Sequence, residues 1–343
     1  MTVRVLIVDD SSFFRKRLSE IISSDPLLSV VGLAENGREA IEQVKKLQPD
    51  VITMDIEMPI MNGINAVKEI MVTHPTPILM LSTWSTDGAK ETLDALEAGA
   101  VDYMPKRFED ISSDSSIAHR ALCKRLCKLA NSKVASLSIT PKKKISPPAI
   151  SAEEKSFNLV VIGTSTGGPI ALQKALTLLP ADFPYPLLII QHMPASFTPS
   201  FAERLNSQCK IHIKHAADGD TLIAGTAYLA PGGTQMLLRG TGLKRYIEIQ
   251  AGQESQIYRP CIDTTLESLT QQSPKKILTV ILTGMGSDGL IGCQKLKELD
   301  GTIWAQDEKS STIYGMPKAV VEAGIVDKVL DIIDIGHHLA GLK

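Results

Sequence analysis

Short hydrophobic segments alternate with amphipathic segments along most of the chain. Apolar runs rich in β-branched residues lie at Val3–Val8, Ser29–Leu33, Val51–Met54 and Ile78–Leu81, and the same rhythm returns from Leu159 onward. Continuous apolar runs of this length, separated by segments of helical period, are typical of buried parallel strands joined by helices. The pattern therefore predicts two successive α/β domains with mostly parallel sheets that are covered on both faces.

A polar stretch separates these two sets of elements. Just before it, the apolar residues of Ile117–Ala130 recur near the helical period, which predicts an amphipathic helix that closes the first domain. From Asn131 to Ser156 the chain is polar, and its prolines oppose regular structure. We therefore expect a first domain over residues 1–131, an interdomain linker over 132–155 and a second domain over 156–343.

The composition is that of a globular α/β protein. Of 343 residues, 43% are hydrophobic and 22% are charged, which is enough for two packed cores and too apolar for a disordered chain. The 36 basic and 38 acidic residues nearly cancel, so the net charge disfavours a DNA-binding output.

No apolar run reaches the roughly 18 residues of a membrane-spanning helix. The five cysteines lack paired metal-ligand spacing. We expect a soluble, cytoplasmic protein with no nucleic-acid partner and no membrane insertion.

Acidic residues follow two of the predicted strands in the first domain. Asp9 and Asp10 follow the first strand, and Asp55 follows Val51–Met54. Because the carboxyl ends of parallel strands open onto one crevice, these carboxylates are expected to lie together. Crowded carboxylates repel one another unless a cation lies among them, and hard oxygen ligands suit Mg²⁺. The sequence therefore predicts a magnesium site, provided that the strand order brings these ends together.

Two further strand ends in this domain carry hydrogen-bond donors. Ser82 follows Ile78–Leu81, and Lys106 follows the run Asp102–Met104. A hydroxyl and an ammonium are suitable donors to the oxygens of a phosphoryl group. Each residue alone is also a common loop residue, so the hypothesis depends on the whole set.

The first domain resembles the response-regulator receiver family in four segments, VLIVDDS, TMDIEMPIMNG, LST and DYMPK. The resemblance implies a doubly wound, flavodoxin-like fold with five parallel strands, and a chemotaxis histidine kinase as the phosphodonor. It implies that Asp55 is phosphorylated and that Asp10, Asp55 and the backbone carbonyl of Glu57 bind Mg²⁺. Asp9 is implied as a support for this metal site.

The same resemblance implies a switch that senses the phosphoryl group. Ser82 and Tyr103 would form this switch, while Lys106 would pair with the phosphoryl group. One position departs from the family, because receivers usually follow this lysine with proline, often in a cis bond, whereas Arg107 follows it here. A cis bond before a residue other than proline costs about 3 kcal/mol, so the family's path for this loop is in question.

The second domain begins with a short apolar strand, Leu159–Ile162, and a glycine-rich turn, Gly163–Pro169. Pro169 suits the first turn of a helix, and the glycines let backbone N–H groups approach a ligand. Such a turn can hold a phosphate, expose a nucleophile or serve only as structure. It lacks the lysine of a P-loop and the spacing of the dinucleotide fingerprint, so the turn alone does not support nucleotide binding. The turn by itself leaves these alternatives open.

Candidate catalytic groups follow three strands of this domain. Ser165 lies in the glycine-rich turn, His192 follows Leu187–Gln191, and Asp288 lies in the segment after Ile277–Leu282. A serine hydroxyl is inert at neutral pH unless a base removes its proton, and an imidazole base needs a carboxylate to hold its tautomer. A lone histidine after a strand is more often a packing residue, so the hypothesis requires that the three meet. Their order along the chain argues against the common α/β-hydrolase fold.

The second domain resembles the CheB protein-glutamate methylesterase family over nearly all of residues 156–343, in the segments GTSTGGP, QHMP, APGG, RPCIDT, LTGMGSDG, AQDEKSS and YGMPKA. The resemblance implies a doubly wound, mostly parallel α/β esterase domain with no cofactor in its site. It implies Ser165 as the nucleophile, His192 as the general base and then acid, and Asp288 as the orienting carboxylate. Thr166 and the backbone amide of Met285 are similarly implied at the oxyanion site.

The implied activity is hydrolysis of glutamate methyl esters on methyl-accepting chemotaxis receptors, controlled by phosphorylation of the receiver. Deamidation of receptor glutamines by the same triad is a second implied activity. A phosphorylation-controlled binding module with a vestigial triad is the alternative from another functional class. Two positions depart from the family, since Cys261 stands where serine is common and Gln235 where histidine is common. We expect neither to contact the triad.

Overall fold

The structure, a computed structural model, describes residues 2–82, 85–106, 116–131, 157–240, 244–253 and 256–342. The chain divides into two compact units, one within residues 1–141 and the other within 142–343. The predicted linker over 132–155 lies outside the described residues, and so does Arg107. The predicted domain boundaries and the path of the loop at Arg107 therefore stay predictions.

The first unit is a doubly wound α/β fold. Its strands are β1 (Val3–Val8), β2 (Leu28–Ala34), β3 (Val51–Asp55), β4 (Ile78–Ser82) and β5 (Asp102–Pro105). Its helices are α1 (Ser12–Ser23), α2 (Gly37–Leu47), α3 (Gly63–Thr73), α4 (Thr86–Glu97) and α5 (Ser116–Ala130). The five strands are parallel in the order β2-β1-β3-β4-β5. The predicted flavodoxin-like fold is confirmed, and the strand order reverses between β1 and β3, which opens a crevice at their carboxyl ends.

The local sequence explains these elements. The second half of β1 and all of β3 and β4 are buried, as expected of strands covered by helices on both faces. Four helices begin after a polar cap whose side-chain oxygen accepts a hydrogen bond from the N–H three residues further on. These caps are Ser11, Asn36, Asn62 and Ser85.

The second unit has a larger parallel sheet. Its strands are β6 (Leu159–Thr164), β7 (Leu187–Gln191), β8 (His212–His215), β9 (Thr226–Leu229), β10 (Thr234–Arg239), β11 (Tyr246–Ala251), β12 (Ile277–Ile281), β13 (Thr302–Gln306) and β14 (Lys328–Leu330). Its helices are α6 (Gly168–Leu176), α7 (Thr198–Gln208), α8 (Ile262–Ser268), α9 (Leu290–Glu298), α10 (Met316–Glu322) and α11 (Ile332–Ala340), with a 3₁₀ turn at Pro274–Lys276.

The strand order of this unit places three strand ends together. Seven parallel strands run in the order β14-β13-β12-β6-β7-β9-β8, while β10 and β11 form a separate antiparallel pair. The order reverses between β12 and β6, and β7 pairs with β6 on its other side. In open α/β sheets, ligands bind outside the carboxyl ends of the strands at such a reversal. The predicted mostly parallel α/β domain is confirmed.

A continuous apolar core joins this sheet to α8. It includes Val161 from β6, Ile281 from β12, and Ile262 and Leu266 from α8, all fully buried. Gly163 permits this packing, because a Cβ there would lie only 2.8 Å from Ile262 Cγ2. The start of α8 can therefore approach the carboxyl end of β6. Among the described residues of both units, no helix has the length and apolar character needed to cross a bilayer.

Candidate functional site

The acidic pocket of the first unit lies at the carboxyl ends of β1 and β3, which are neighbours in the sheet. Asp9 follows β1, and Asp55 is the last residue of β3. Together with Asp10, they place carboxylate oxygens within 4.8 Å of one another. Asp9 and Asp55 are buried, whereas Asp10 is exposed. The three acidic residues singled out in the sequence therefore share one pocket.

Lys106 reaches into this pocket from the end of β5. Its Nζ lies 2.5 Å from Asp55 Oδ2 and 2.8 Å from Asp9 Oδ2, so a single ammonium pairs with two carboxylates. The same Nζ lies 4.4 Å from the centre of the Phe14 ring, within the range of a cation–π contact. Phe14 lies on α1 and was not among the predicted site residues, because an aromatic residue at a helix start carries no periodic signal.

Burial changes the protonation of both inner carboxyls. It raises the pKa of Asp55 to about 6, although the charge of Lys106 acts in the opposite direction. Burial also raises the pKa of Asp9 against the same opposing charge. One lysine therefore does not compensate two buried carboxylates, and the pocket can accept a further cation.

The donor set of this pocket fits Mg²⁺. Carboxylate oxygens are the hard ligands that this ion prefers, and the pocket offers three carboxylates, one of them on the exposed Asp10. Glu57, the predicted carbonyl ligand, is exposed two positions after Asp55 on the loop that leaves β3. The geometry thus agrees with a metal site, while the individual ligand roles stay predictions.

The two predicted switch residues, Ser82 and Tyr103, are both buried. Ser82, fully buried at the end of β4, donates its hydroxyl to the Gly88 carbonyl at 3.2 Å and accepts a hydrogen bond from Thr92 Oγ1 at 2.6 Å. Both partners belong to α4, so Ser82 Oγ is engaged by that helix. Tyr103 is 7% exposed, and burial raises the pKa of its phenol far above the ordinary value. Thr92 was not predicted from the sequence.

The structure brings Ser165, His192 and Asp288 into one hydrogen-bonded chain. Ser165 follows β6, His192 follows β7, and Asp288 lies on the loop after β12. Ser165 Oγ lies 3.1 Å from Nδ1 of His192, and Nε2 of the same ring lies 2.7 Å from Asp288 Oδ2. In the neutral tautomer that fits these contacts, Nδ1 accepts the serine proton and Nε2–H donates to the carboxylate. The arrangement can therefore activate a serine nucleophile.

Asp288 is held by several donors besides the histidine. Its Oδ2 accepts the backbone N–H of Ile262 at 2.8 Å, and its Oδ1 accepts that of Asp263 at 3.0 Å. Burial opposes the charged form of Asp288. The hydrogen bond and charge of His192, together with the two backbone N–H groups, outweigh burial and lower the pKa of Asp288 below its ordinary value. The carboxylate therefore stays ionised where the histidine needs it.

Two loops meet at the nucleophile. Ser165 N–H donates to the Thr283 carbonyl at 3.0 Å, and Thr283 Oγ1 donates to the Thr166 carbonyl at 2.9 Å. Gly284 packs so closely that a Cβ there would lie 2.9 Å from Ser165 Cβ and 2.2 Å from Met316 Sδ. Thr166 and the residue after Gly284, Met285, are thus carried by two loops that are fixed to each other. Their oxyanion role stays a prediction.

Two residues that sequence reasoning missed also contact the triad. Tyr258 stacks its ring on His192, with 4.1 Å between the ring centres and 7° between the planes. Gln191 Nε2 donates to the carbonyls of Ser165 and His192 at 3.0 and 3.1 Å. Gln191 precedes His192 directly and could have been considered on that ground. Tyr258 lies on an irregular segment far from the triad in sequence, and no pattern indicated it.

The expectation that Cys261 and Gln235 stay away from the triad is wrong for Cys261. Its thiol donates to Asp288 Oδ1 at 3.2 Å. The physical reason is its place directly before α8, whose first N–H groups bind the same carboxylate. Gln235 contacts Cys261 instead, because its Oε1 accepts the Cys261 N–H at 2.8 Å. The two departures from the family pattern therefore touch each other.

Known proteins similar to this chain cover its whole length. A protein from Pseudomonas aeruginosa, named protein-glutamate methylesterase/protein-glutamine glutaminase 1, is 50% identical over 99% of both chains. Proteins of the same activity name from Photobacterium profundum and Aliivibrio fischeri are 49% and 48% identical, over 95% and 100% of this chain and the same shares of their own.

Two family models match different parts of the chain, and a solved structure matches the second part. The response-regulator receiver domain model matches residues 5–115, and the CheB methylesterase model matches residues 160–339. The crystal structure of the Thermotoga maritima CheB methylesterase catalytic domain is 39% identical, with a TM-score of 0.53, and its match covers 55% of this chain and 100% of that one. The chain therefore belongs to the CheB methylesterase family and carries a response-regulator receiver domain ahead of the matched catalytic region.

Proposed function

We propose that this chain hydrolyses glutamate 5-O-methyl esters on methyl-accepting chemotaxis receptors, in the cytoplasm and under control of its receiver domain. The observation that carries the proposal is the hydrogen-bonded chain from Ser165 through His192 to Asp288 at the reversal of the strand order. The activity names of full-length relatives that are about half identical support the same substrate class. No cofactor takes part in the proposed esterase chemistry.

The reaction would proceed through a covalent ester on the enzyme. Ser165 Oγ attacks the ester carbonyl carbon while its proton passes to Nδ1 of His192. The oxyanion that forms is stabilised by backbone N–H groups at Thr166 and Met285. His192 then gives the proton to the departing methoxide oxygen, and methanol leaves.

Water completes the cycle. His192 removes a proton from water, which attacks the acyl carbon, and Ser165 recovers its proton from the imidazolium. The net change is methyl ester plus water to glutamate carboxylate, methanol and one proton, so the receptor gains one negative charge. Throughout, Asp288 keeps the imidazole in the tautomer with a free Nδ1 and stabilises its charged form.

Deamidation of receptor glutamines is a second reaction of the same site. An amide carbonyl presents the same geometry to Ser165, and His192 protonates the departing nitrogen instead of an oxygen. The leaving group is then ammonia rather than methanol. The double activity name of the relatives supports this extension.

Phosphorylation of Asp55 by a histidine kinase is proposed to control the esterase. Asp10, Asp55 and the Glu57 carbonyl would hold Mg²⁺, with Asp9 as support. When bound, the ion neutralises charge on the phosphoryl oxygens. Lys106, already paired with Asp55, would remain the second positive group.

The contacts of Ser82 support a switch at the end of β4. To donate to a phosphoryl oxygen, Ser82 Oγ would give up its hydrogen bond to the Gly88 carbonyl, which loosens one tie to α4. Tyr103 would repack in the same transition. We propose that the unphosphorylated receiver restrains the esterase and that this transition releases it. An esterase lacking residues 1–131 should then exceed the unphosphorylated full chain in activity.

The decisive experiment measures methanol release from methylated receptor membranes by the full-length chain, with and without a small-molecule phosphodonor. We expect release in both cases and a faster rate with the phosphodonor. No methanol above the background of membranes alone would contradict the proposed activity.

Labelling with a fluorophosphonate probe separates an enzyme from a binding module with a vestigial triad. An activated Ser165 should form a covalent adduct, which peptide mass spectrometry would locate. A wild-type chain that binds receptor membranes yet leaves Ser165 unlabelled would favour the binding module.

A further inference from the structure

The segment 256–261 lies between β11 and α8, and two of its side chains contact the triad. Ile257 is 88% exposed and Arg259 is exposed, whereas Tyr258 is half-buried and Pro260 is buried. Tyr258 contacts His192 and Cys261 contacts Asp288, so this one segment touches both residues of the pair.

Tyr258 covers one face of the His192 imidazole. The rings are nearly parallel, and at 4.1 Å between centres they are in van der Waals contact. A ring held in this way resists rotation out of the plane in which Nδ1 meets Ser165 and Nε2 meets Asp288. The negative face of the phenol ring also attracts the imidazolium that exists after the serine proton has moved. The contact therefore favours both the geometry and the charge of the transition state.

Cys261 contacts Asp288, which is the hydrogen-bond partner of His192. Its thiol and the N–H of Asp263 donate to the same oxygen of Asp288, at 3.2 and 3.0 Å. Burial and the nearby charge of Asp288 raise the pKa of Cys261 to about 11, so the sulfur keeps its proton at neutral pH. Cys261 is thus a persistent donor that fixes Oδ1, which leaves Oδ2 directed at His192.

A single amide ties these two residues together. Gln235, 2% exposed, donates from Nε2 to the Tyr258 carbonyl at 2.9 Å and accepts the Cys261 N–H on Oε1 at 2.8 Å. The amide of Gln235 therefore holds the backbone at both Tyr258 and Cys261. Replacing the amide would release Tyr258 and Cys261 at the same time.

We propose that Tyr258 and Cys261, held by Gln235, are positioning residues that keep the His192–Asp288 pair aligned to take the proton of Ser165. The inference rests on the proposed hydrolytic function and deepens it. Neither residue needs to touch the receptor, so their loss should lower the reactivity of Ser165 without weakening substrate binding.

The test measures the second-order rate of Ser165 labelling by a fluorophosphonate probe in the full-length chain, together with kcat and KM for methanol release. Tyr258→Leu should lower the labelling rate and kcat about tenfold, since it removes the ring face from the imidazolium. Tyr258→Phe keeps the ring and should stay within about twofold of wild type. KM should change little in either variant.

Cys261 offers an independent arm with a conservative rescue. Cys261→Ala removes a neutral donor to a charged acceptor and should lower the labelling rate and kcat about fivefold. Cys261→Ser restores a donor and should recover most of the loss. Cys209→Ala is the matched control, because burial raises the pKa of this thiol to about 11 as well. Cys209 lies at the end of α7, and its loss should leave both rates unchanged.

The possible outcomes distinguish failure of the positioning role from failure of the proposed hydrolysis. Wild-type labelling rates in both Tyr258→Leu and Cys261→Ala would overturn the positioning role. An equal loss in Tyr258→Phe or Cys261→Ser, accompanied by a lower unfolding midpoint and a raised KM, would show a structural role instead and also overturn it. If Tyr258→Leu does not fold, the two Cys261 variants decide. If wild type is labelled no faster than Ser165→Ala, the proposed hydrolysis itself fails, and the inference falls with it.

Discussion

The two units each bury a carboxylate beside the point where their strand order reverses, yet burial leaves these groups in opposite states. Burial raises the pKa of Asp55 to about 6. The pKa of Asp288 is lowered although it is also buried. Asp55 shares one ammonium with Asp9 and accepts one backbone N–H, from Ile56, whereas Asp288 receives His192, a thiol and two backbone N–H groups.

The difference shows that partners, rather than burial, decide how a buried carboxylate behaves. Asp55, the proposed phosphorylation site, keeps spare acceptor capacity. Asp288, the proposed orienting carboxylate, is saturated with donors and stays charged. Burial and the neighbouring Asp288 raise the pKa of Asp263, although the backbone N–H of Gly292 donates to its Oδ1 at 2.7 Å.

The largest expected effect comes from removing the serine hydroxyl. Ser165→Ala should lower methanol release about 10⁴-fold or more, the scale of losing a triad nucleophile. Phosphorylation of Asp55 should be unaffected, because the hydroxyl belongs only to the second site. Ser207→Ala, on the exposed surface of α7, is the control. Near-normal methanol release by Ser165→Ala would refute the assignment.

Neutralising Asp288, whose carboxylate accepts several hydrogen bonds, should have the next largest effect. Asp288→Asn keeps the shape but loses the charge, and its amide can present N–H to Nε2 and select the wrong tautomer. We expect kcat to fall about 10⁴-fold in the methanol assay. Glu298→Gln, an exposed change of the same kind on α9, should have no effect. If Asp288→Asn kept a tenth of the activity, the orienting role would be wrong.

Neutralising Asp55 should stabilise the first unit, because Lys106 does not fully compensate its buried charge. Since the pKa of Asp55 is raised, its ionised form destabilises the fold fully above about pH 6, and this cost disappears as the pH falls towards 3.8. At pH 8, Asp55→Asn should therefore raise the free energy of unfolding on the order of 2 kcal/mol, and less at pH 5.

Hydrogen exchange of the β1 and β3 amides in the full-length chain would measure this gain. The same variant should lose the acceleration of methanol release by a phosphodonor. Glu42→Gln, an exposed change on α2, is the control. Faster exchange in Asp55→Asn at pH 8 would contradict the raised pKa.

The smallest expected effect is that of the cation itself. At ten times its dissociation constant, Mg²⁺ should stabilise the first unit by about 1.4 kcal/mol, because it binds only the folded pocket. Asp10→Asn should abolish this gain, whereas Glu69→Gln on the exposed face of α3 should not. The β12 and β6 amides of the second unit should exchange at the same rate with and without Mg²⁺. Equal Mg²⁺ stabilisation of wild type and Asp10→Asn would remove Asp10 from the ligand set.

The sequence was a good guide wherever a strand is buried on both faces. The predicted bounds of β1 and β7 match the structure, because covered parallel strands are mostly apolar runs; the polar exceptions are the exposed Arg4 near the start of β1 and Gln191 at the end of β7. That same rule located Asp9 and His192, since each directly follows such a run. The antiparallel pair β10 and β11 was missed, because their apolar runs are short: β10 is buried over four of its six residues but is apolar only at 236–238, and β11 buries only Ile247.

The contacts of Tyr258 and Cys261 could not be predicted in the same way. They lie on a segment without secondary structure, where the direction of a side chain depends on distant bonds rather than on a period of two or 3.6 residues. Here the distant bonds come from Gln235, on β10. Motif comparison identified Gln235 and Cys261 as unusual but gave no sign that they touch. Thr92 was missed for a related reason, since its contact with Ser82 spans a loop and a helix turn.

The order of strands in the second sheet has a consequence for synthesis on the ribosome. β12 lies between β6 and β13 in the interior of the sheet, and Asp288 is 96 residues beyond His192 along the chain. A nascent chain that has exposed Ser165 and His192 still lacks this interior strand and the carboxylate that contacts His192, so the hydrogen-bonded chain of the three residues cannot yet form. The first unit draws all its strands from residues before 106 and can fold long before that point. The part that responds to the signal is therefore complete before the part that it governs becomes active.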